Sequence, residues 1–195
     1  LVSSGSVRGW DDPRMSTLAG LRRRGFPADA INRFCAAIGV SRGENLIPLH
    51  VLEHWVRAHL DGSAARTLAV VRPLRVTLTN FCGGGGDADV ELLSVANHPK
   101  NAAAGSRSVP LTRDIFIDAA DFRAVDAPKY FGLAPGKKAM LRGAYPLTVT
   151  GVVRSADGSV AALEAELDYG RTSKPKGVLH WVSAAPGRHA PAEVR

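Results

Sequence analysis

His50-Val51-Leu52-Glu53-His54 has the spacing with which a helix can offer two imidazoles to a zinc ion and a carboxylate as general base. No third acidic ligand is identifiable, and Val51, Leu52 and Trp55 sit among these residues as on an amphipathic helix. The motif therefore reads as an exposed helix face, and no metal site is expected. Gly83-Gly84-Gly85-Gly86 lacks the Gly-Lys-Ser/Thr that would supply an ammonium and a metal-binding hydroxyl, so it reads as a flexible connection between strands rather than a phosphate loop. Arg22-Arg23-Arg24 closes a predicted helix, where cations suit the helix dipole and where guanidinium groups could also meet a phosphate. The 25 lysines and arginines outnumber 18 acidic residues, a net charge of +7, which favours a polyanionic partner through counterion release without choosing among nucleic acids.

The elements that must carry these residues change character near Arg72. Before it, apolar residues recur at helical spacing. A first helix runs from a cap near Ser16 to Arg24, with Gly25 placed to end it in the left-handed conformation. Pro27 opens a second that presents Ile31, Phe34, Cys35 and Ile38 and stops at Gly39. A third begins near Pro48, turns Leu49, Leu52, Val56 and Leu60 inward, and ends around Asp61 and Gly62. After Arg72, period-two alternation predicts strands at 74–79, 114–118, 147–153, 160–167 and 178–182, with Asp157-Gly158 as a hairpin signal. Because no strand alternates with a helix, the fold class is α+β: a small helical module over 1–72 followed over 73–195 by an antiparallel sheet, either open or closed as a β-barrel, rather than a doubly wound one.

The 195 residues suffice for one large or two small domains, and 45% hydrophobic content is ordinary for a chain with a buried core. Leu1 in place of Met and the absence of a tapering tail at Arg195 read as a segment cut from a longer polypeptide. Cys35 and Cys82 lack CxxC spacing and are expected to be free thiols of a reducing, cytoplasmic compartment. Neither a membrane span nor a signal peptide is visible.

Val7-Arg8-Gly9-Trp10-Asp11-Asp12-Pro13-Arg14-Met15 and Thr17-Leu18-Ala19-Gly20-Leu21-Arg22-Arg23-Arg24-Gly25-Phe26 closely resemble the segment that follows the catalytic signature of glutaminyl-tRNA synthetases. The match continues in order through Ala30–Cys35, Ala65–Val70, Asn97–Pro99, Gly105–Pro110, Ile117–Phe122 and His180–Ala185, and so spans nearly the whole chain. Archaeal and eukaryotic-type glutamyl-tRNA synthetases share Trp-Asp-Asp-Pro-Arg and the same architecture. Ile31-Asn32-Arg33-Phe34-Cys35, Ile38-Gly39-Val40 and His180-Trp181-Val182-Ser183 favour the glutaminyl branch. The resemblance implies a helical module that joins the catalytic domain to the anticodon end of tRNA-Gln, then an anticodon-binding barrel like that of a ribosomal protein. The catalytic fold, with HIGH and KMSKR-like motifs serving ATP and its Mg ion, would lie upstream. Neither motif occurs here; Arg14-Met15-Ser16 has Thr17 where the lysine of such a motif would stand, so this segment alone is expected to be inactive and to hold no cofactor.

Carried over residue by residue, the resemblance implies that Arg66 meets the central anticodon base, that Arg142 in Leu141-Arg142-Gly143-Ala144-Tyr145 meets the first, and that Asn97 touches the anticodon stem. Lys129, Arg22 and Arg23 are further tRNA-binding candidates. The chain departs from the family where an arginine for the third base is replaced by Gly132, another arginine by Met140, and an asparagine by Asp61. Lys129, Lys137 or Lys138 could restore backbone affinity but not base readout. A stand-alone module for single-stranded RNA is the competing class. It would need exposed stacking aromatics, whereas Trp10, Trp55 and Trp181 lie in core-like contexts by sequence.

Overall fold

The helical spacing of the first part of the chain becomes α1 (Leu18–Arg24), α2 (Ala28–Ile38) and α3 (Leu49–Ser63) in a computed structural model, which describes residues 1–84 and 89–193. The chain divides into two compact units between Ala65 and Arg66, while the change from helical to strand spacing at Arg72 marks the start of the first strand. Gly85 and Gly86 of the glycine run lie outside the described residues.

In the first unit the cap of α1 is Thr17 rather than Ser16: its Oγ1 accepts from the Gly20 N–H at 2.9 Å. Gly25 ends the helix at φ +97°, as its placement predicts. Phe26, Ala30, Leu52 and Val56 form a small core, with Leu21, Ile31, Phe34 and Leu60 packed around it. Cys35, Ile38 and Leu49, expected inside, are exposed. Helical spacing gives a face but not its width, and a core of four buried residues is too narrow to cover the whole apolar stripe of α2. Trp10 is likewise 70% exposed, against its core-like reading.

The second unit holds β1 (Pro73–Leu78), β2 (Val90–Ala96), β3 (Ser106–Thr112), β4 (Asp114–Asp118), β5 (Lys138–Leu141), β6 (Pro146–Arg154), β7 (Val160–Leu167), β8 (Val178–Leu179) and β9 (Trp181–Ser183). Seven of these form one sheet in the order β8-β5-β6-β7-β1-β4-β9; β2 and β3 pair as a separate ribbon. Only His180 separates β8 from β9, so the run 178–183 pairs with β5 on one side and β4 on the other and joins the two edges of the sheet. The result is a barrel, mostly antiparallel, with two parallel pairings, β1 to β7 and β5 to β8. Both parallel pairs join strands far apart in the chain, as parallel pairing requires. Alternation fills the interior: Val76, Leu78, Ile115, Ile117, Leu141, Leu147, Leu163 and Trp181 are fully buried. The Asp157-Gly158 turn connects β6 and β7 as its sequence signals, with Ser155 N–H donating to Ser159 O at 2.9 Å.

Candidate nucleic-acid interface

The turn between β5 and β6 is drawn tight by hydrogen bonds from Leu141 N–H to Tyr145 O (3.0 Å) and from Ala144 N–H to Leu141 O (2.9 Å). Arg142 sits at its head. The Arg142 N–H donates to Leu179 O at 3.0 Å, and its carbonyl accepts from the indole Nε1 of buried Trp181 at 3.0 Å. With both backbone groups engaged, the guanidinium is exposed and has no partner among the described residues. The next residue of the turn, Gly143, lies so close to β2 that a Cβ there would come within 2.8 Å of Val95 Cγ2.

Beyond the end of β2, Asn97 accepts from the Arg66 N–H on its carbonyl at 2.7 Å. Its side chain is used inside its own loop: Nδ2 donates to Ala104 O at 2.9 Å and Oδ1 accepts from Arg107 Nη1 at 3.1 Å. Asn97 thus joins Arg66 to Arg107, a guanidinium that sequence reasoning passed over. Nothing in the spacing of Ser106-Arg107-Ser108 marks it; only the fold of the 97–105 loop brings it to Asn97. Since Gly143 of the Arg142 turn packs on Val95, two residues before Asn97, the structure gathers three of the expected residues, Arg66, Asn97 and Arg142, about one end of the ribbon.

Lys129 stands elsewhere, in the loop before β5, exposed and with φ +62°, a conformation that costs a non-glycine residue about 1 kcal/mol. In that loop Lys137 Nζ bridges Asp126 Oδ1 at 2.5 Å and Tyr130 O at 2.6 Å, and the hydrogen bond holds the Asp126 carboxyl below the usual range. The Arg123 guanidinium lies 4.3 Å from the Tyr130 ring centre. Gly132 is buried against the same ring: a Cβ there would strike the Tyr130 ring and approach Asp121 O to 2.6 Å. Tyr130 therefore occupies the space that a side chain at 132 would need. Met140 is half-buried on β5 between Lys138 and Arg142, and Asp61 is exposed near the end of α3.

In the helical unit Arg22 is exposed, and Arg23 makes an exposed ion pair with Asp11 at 2.8 Å. Arg24 reaches Glu53 at 3.8 Å, and Arg57 reaches the same carboxylate at 3.8 Å. Glu53 thus faces two guanidiniums, and His54 stands edge-on to Trp55. Among the described residues no group of three or more His, Cys, Asp and Glu could hold a metal ion. Asp12 is fully buried and ties the unit's start together. Both its oxygens take the Arg14 side chain at 2.9 Å, and it accepts the backbone N–H groups of Arg14 and Arg8. Those bonds, the Arg14 side chain first, hold its carboxyl well below the usual range. Cys35 and Cys82 are exposed and unbridged, and no helix among the described residues is long and apolar enough to cross a membrane.

Residues 64–168 match the family of class I tRNA synthetases (E and Q), anti-codon binding domain, and residues 1–61 match the catalytic domain of the same class. The chain is 43% identical over its whole length to a glutamine-tRNA ligase of Photobacterium profundum, of which it covers 35%, and 39% identical over its whole length to one of Clostridium perfringens, of which it covers 36%. A glutamine-tRNA ligase of Vibrio cholerae is 42% identical, again over the whole chain and 35% of the relative. The chain thus spans about a third of the length of these curated relatives. The tight Arg142 turn, the ribbon that leads to Asn97 and strands β1 to β7 all fall within the matched anticodon-binding region, and the chain belongs to the class I tRNA synthetases of the glutamate and glutamine group.

Proposed function

We propose that this chain is the tRNA-binding and anticodon-recognition segment of a glutamine-tRNA ligase, whose parent enzyme attaches glutamine to tRNA-Gln in the cytoplasm with ATP as co-substrate. The observation that carries the reading is Arg142: a guanidinium left unpaired among the described residues, on a backbone fixed by Leu179 and Trp181, inside the matched anticodon-binding region. A planar cationic fork on a rigid support can both hydrogen-bond and stack on an unpaired base. Arg66 and Asn97 supply a second patch for the central base and the stem. Lys129, Arg22 and Arg23 add phosphate affinity without base choice. The ATP chemistry belongs to an upstream catalytic domain carrying HIGH and KMSKR-like motifs. This reading assigns no residue of the chain to ATP or Mg and expects the segment by itself to be inactive.

The test is binding of the segment to transcripts of tRNA-Gln, tRNA-Glu and an anticodon-swapped tRNA-Gln at one fixed salt concentration, with Arg66→Ala and Arg142→Ala alongside. Preference for the glutamine anticodon that both substitutions erode supports the reading. Equal, salt-sensitive binding to all three leaves a generic basic surface and rejects it.

A further inference from the structure

Two loops that meet beside β5 leave Phe131 in an unusual setting. Its side chain is 54% exposed while its backbone is clamped from both sides. On one side Gly132 is packed under the Tyr130 ring and Leu133 N–H donates to Asp121 O at 2.7 Å. On the other, buried Gly177 lies directly on the Phe131 carbonyl, in contact so close that no Cβ could stand there. Asp168 secures the second loop, accepting from Thr172 Oγ1 at 2.8 Å and from Ser173 N–H and Oγ at 3.1 and 3.0 Å. Between the loops is an open hollow of about 430 Å³ lined by Phe131, Lys138, Lys174 and Lys176 among others, and by no acidic side chain. Those three lysines are exposed and find no partner among the described residues. Lys138 and Arg142 begin and follow the same short strand, on its outward face, about 13 Å apart by strand rise.

We propose that this hollow is a stacking site for one unpaired nucleobase: Phe131 is its platform, and Lys138, Lys174 and Lys176 neutralise the adjoining phosphates. The inference rests on the RNA-binding reading above and deepens it. A rigid exposed aromatic ring among unpaired cations is the pairing of features by which single strands are held without base choice, because every base has a π-face. The same packing that fixes Phe131 removes the possibility of a side chain at Gly132. The site holds a base without identifying it, so identity is read at the Arg142 and Arg66 positions only.

The experiment uses the whole chain and an anticodon stem-loop of tRNA-Gln carrying 2-aminopurine in turn at each of the three anticodon positions, followed by fluorescence. Binding is expected to quench the probe at one position. Phe131→Ala abolishes that quench and weakens binding about tenfold, and Phe131→Trp restores both. A Lys174→Ala, Lys176→Ala double variant keeps the quench but lowers the salt dependence of binding by about 1.4 in log–log slope. Thermal melts confirm that each variant is folded. Unchanged quench and affinity in Phe131→Ala, while Arg142→Ala still weakens binding, overturns the stacking site and leaves the anticodon reading standing. No binding of any stem-loop by the unaltered chain overturns both.

Discussion

A side chain reads a base well when its own backbone cannot move, and Arg142 meets that condition through two bonds, to Leu179 O and from Trp181 Nε1. Arg142→Ala is expected to weaken tRNA-Gln binding about tenfold while leaving the thermal midpoint unchanged, because the exposed guanidinium has no hydrogen-bond or ion-pair partner among the described residues. Arg142→Lys should recover only the salt-dependent part, since a point charge lacks the fork; a competition assay against tRNA-Glu at fixed salt separates the two. At Gly132 the expectation runs the other way. Restoring an arginine by Gly132→Arg forces a Cβ onto Tyr130 and Asp121, so it should cost about 1–3 kcal/mol in denaturant unfolding and give no new preference at the third base. Arg66, Asn97 and Arg142 became candidates through the family pattern, not through residue spacing. Arg107, Phe131, Lys174 and Lys176 were not, because what places them is a loop bond to Asn97 and the approach of Gly177 from far along the chain.

At the scale of elements, strands whose apolar residues alternate in sequence were readable: β1, β4 and β7 bury alternate residues, and β6 was readable although its burial is irregular where its register to β7 shifts near Gly151. Three strands were hidden for physical reasons. β2 has a single buried residue, Leu93, and so shows no clean alternation. β3 contains Pro110, which a strand tolerates only where its missing N–H is not needed. β5 spans four residues between glycine-rich turns, too short to register as a period. The single strand expected over 178–182 is broken at His180 because its two halves pair with different neighbours. Gly177→Ala tests that junction: the methyl group has no space beside Phe131 O, and β8 should detach from β5, with loss of about 1–3 kcal/mol and faster amide exchange at Met140, whose N–H donates to Gly177 O at 2.8 Å. The loop before Gly177 should respond to acid. Hydrogen bonds from Thr172 and then Ser173 lower Asp168 to about 2. A depressed folded-state value stabilises above the ordinary carboxylate range near pH 4 and is lost as pH falls toward 2, so loop protection should fade in that window and be insensitive to pH in Asp168→Asn.

Over the whole molecule, the +7 charge predicts that tRNA affinity falls linearly on a log–log salt plot, and each phosphate contact removed by mutation should flatten the slope by about 0.7 to 0.9. The two compact units differ in how their contacts are distributed along the sequence. The helical unit is built from neighbours: α2 packs on α3 across a short connection. The barrel joins β1 to β7, and it is completed only by the run 178–183, which binds β4 on one flank and β5 on the other. A ribosome making this chain therefore delivers the helices early and the closing strand last. Until Ser183 has emerged, the nascent barrel has two open edges, at Asp114–Asp118 and Lys138–Leu141, able to recruit another chain. Contacts so distant in sequence also make closure the slow step, in milliseconds to seconds against microseconds for a local helix pair. Pulse-labelled hydrogen exchange during refolding should protect amides of α2 and α3 before those of β5 and β9, and molecules caught between the two events would be the ones exposed to aggregation and to chaperones.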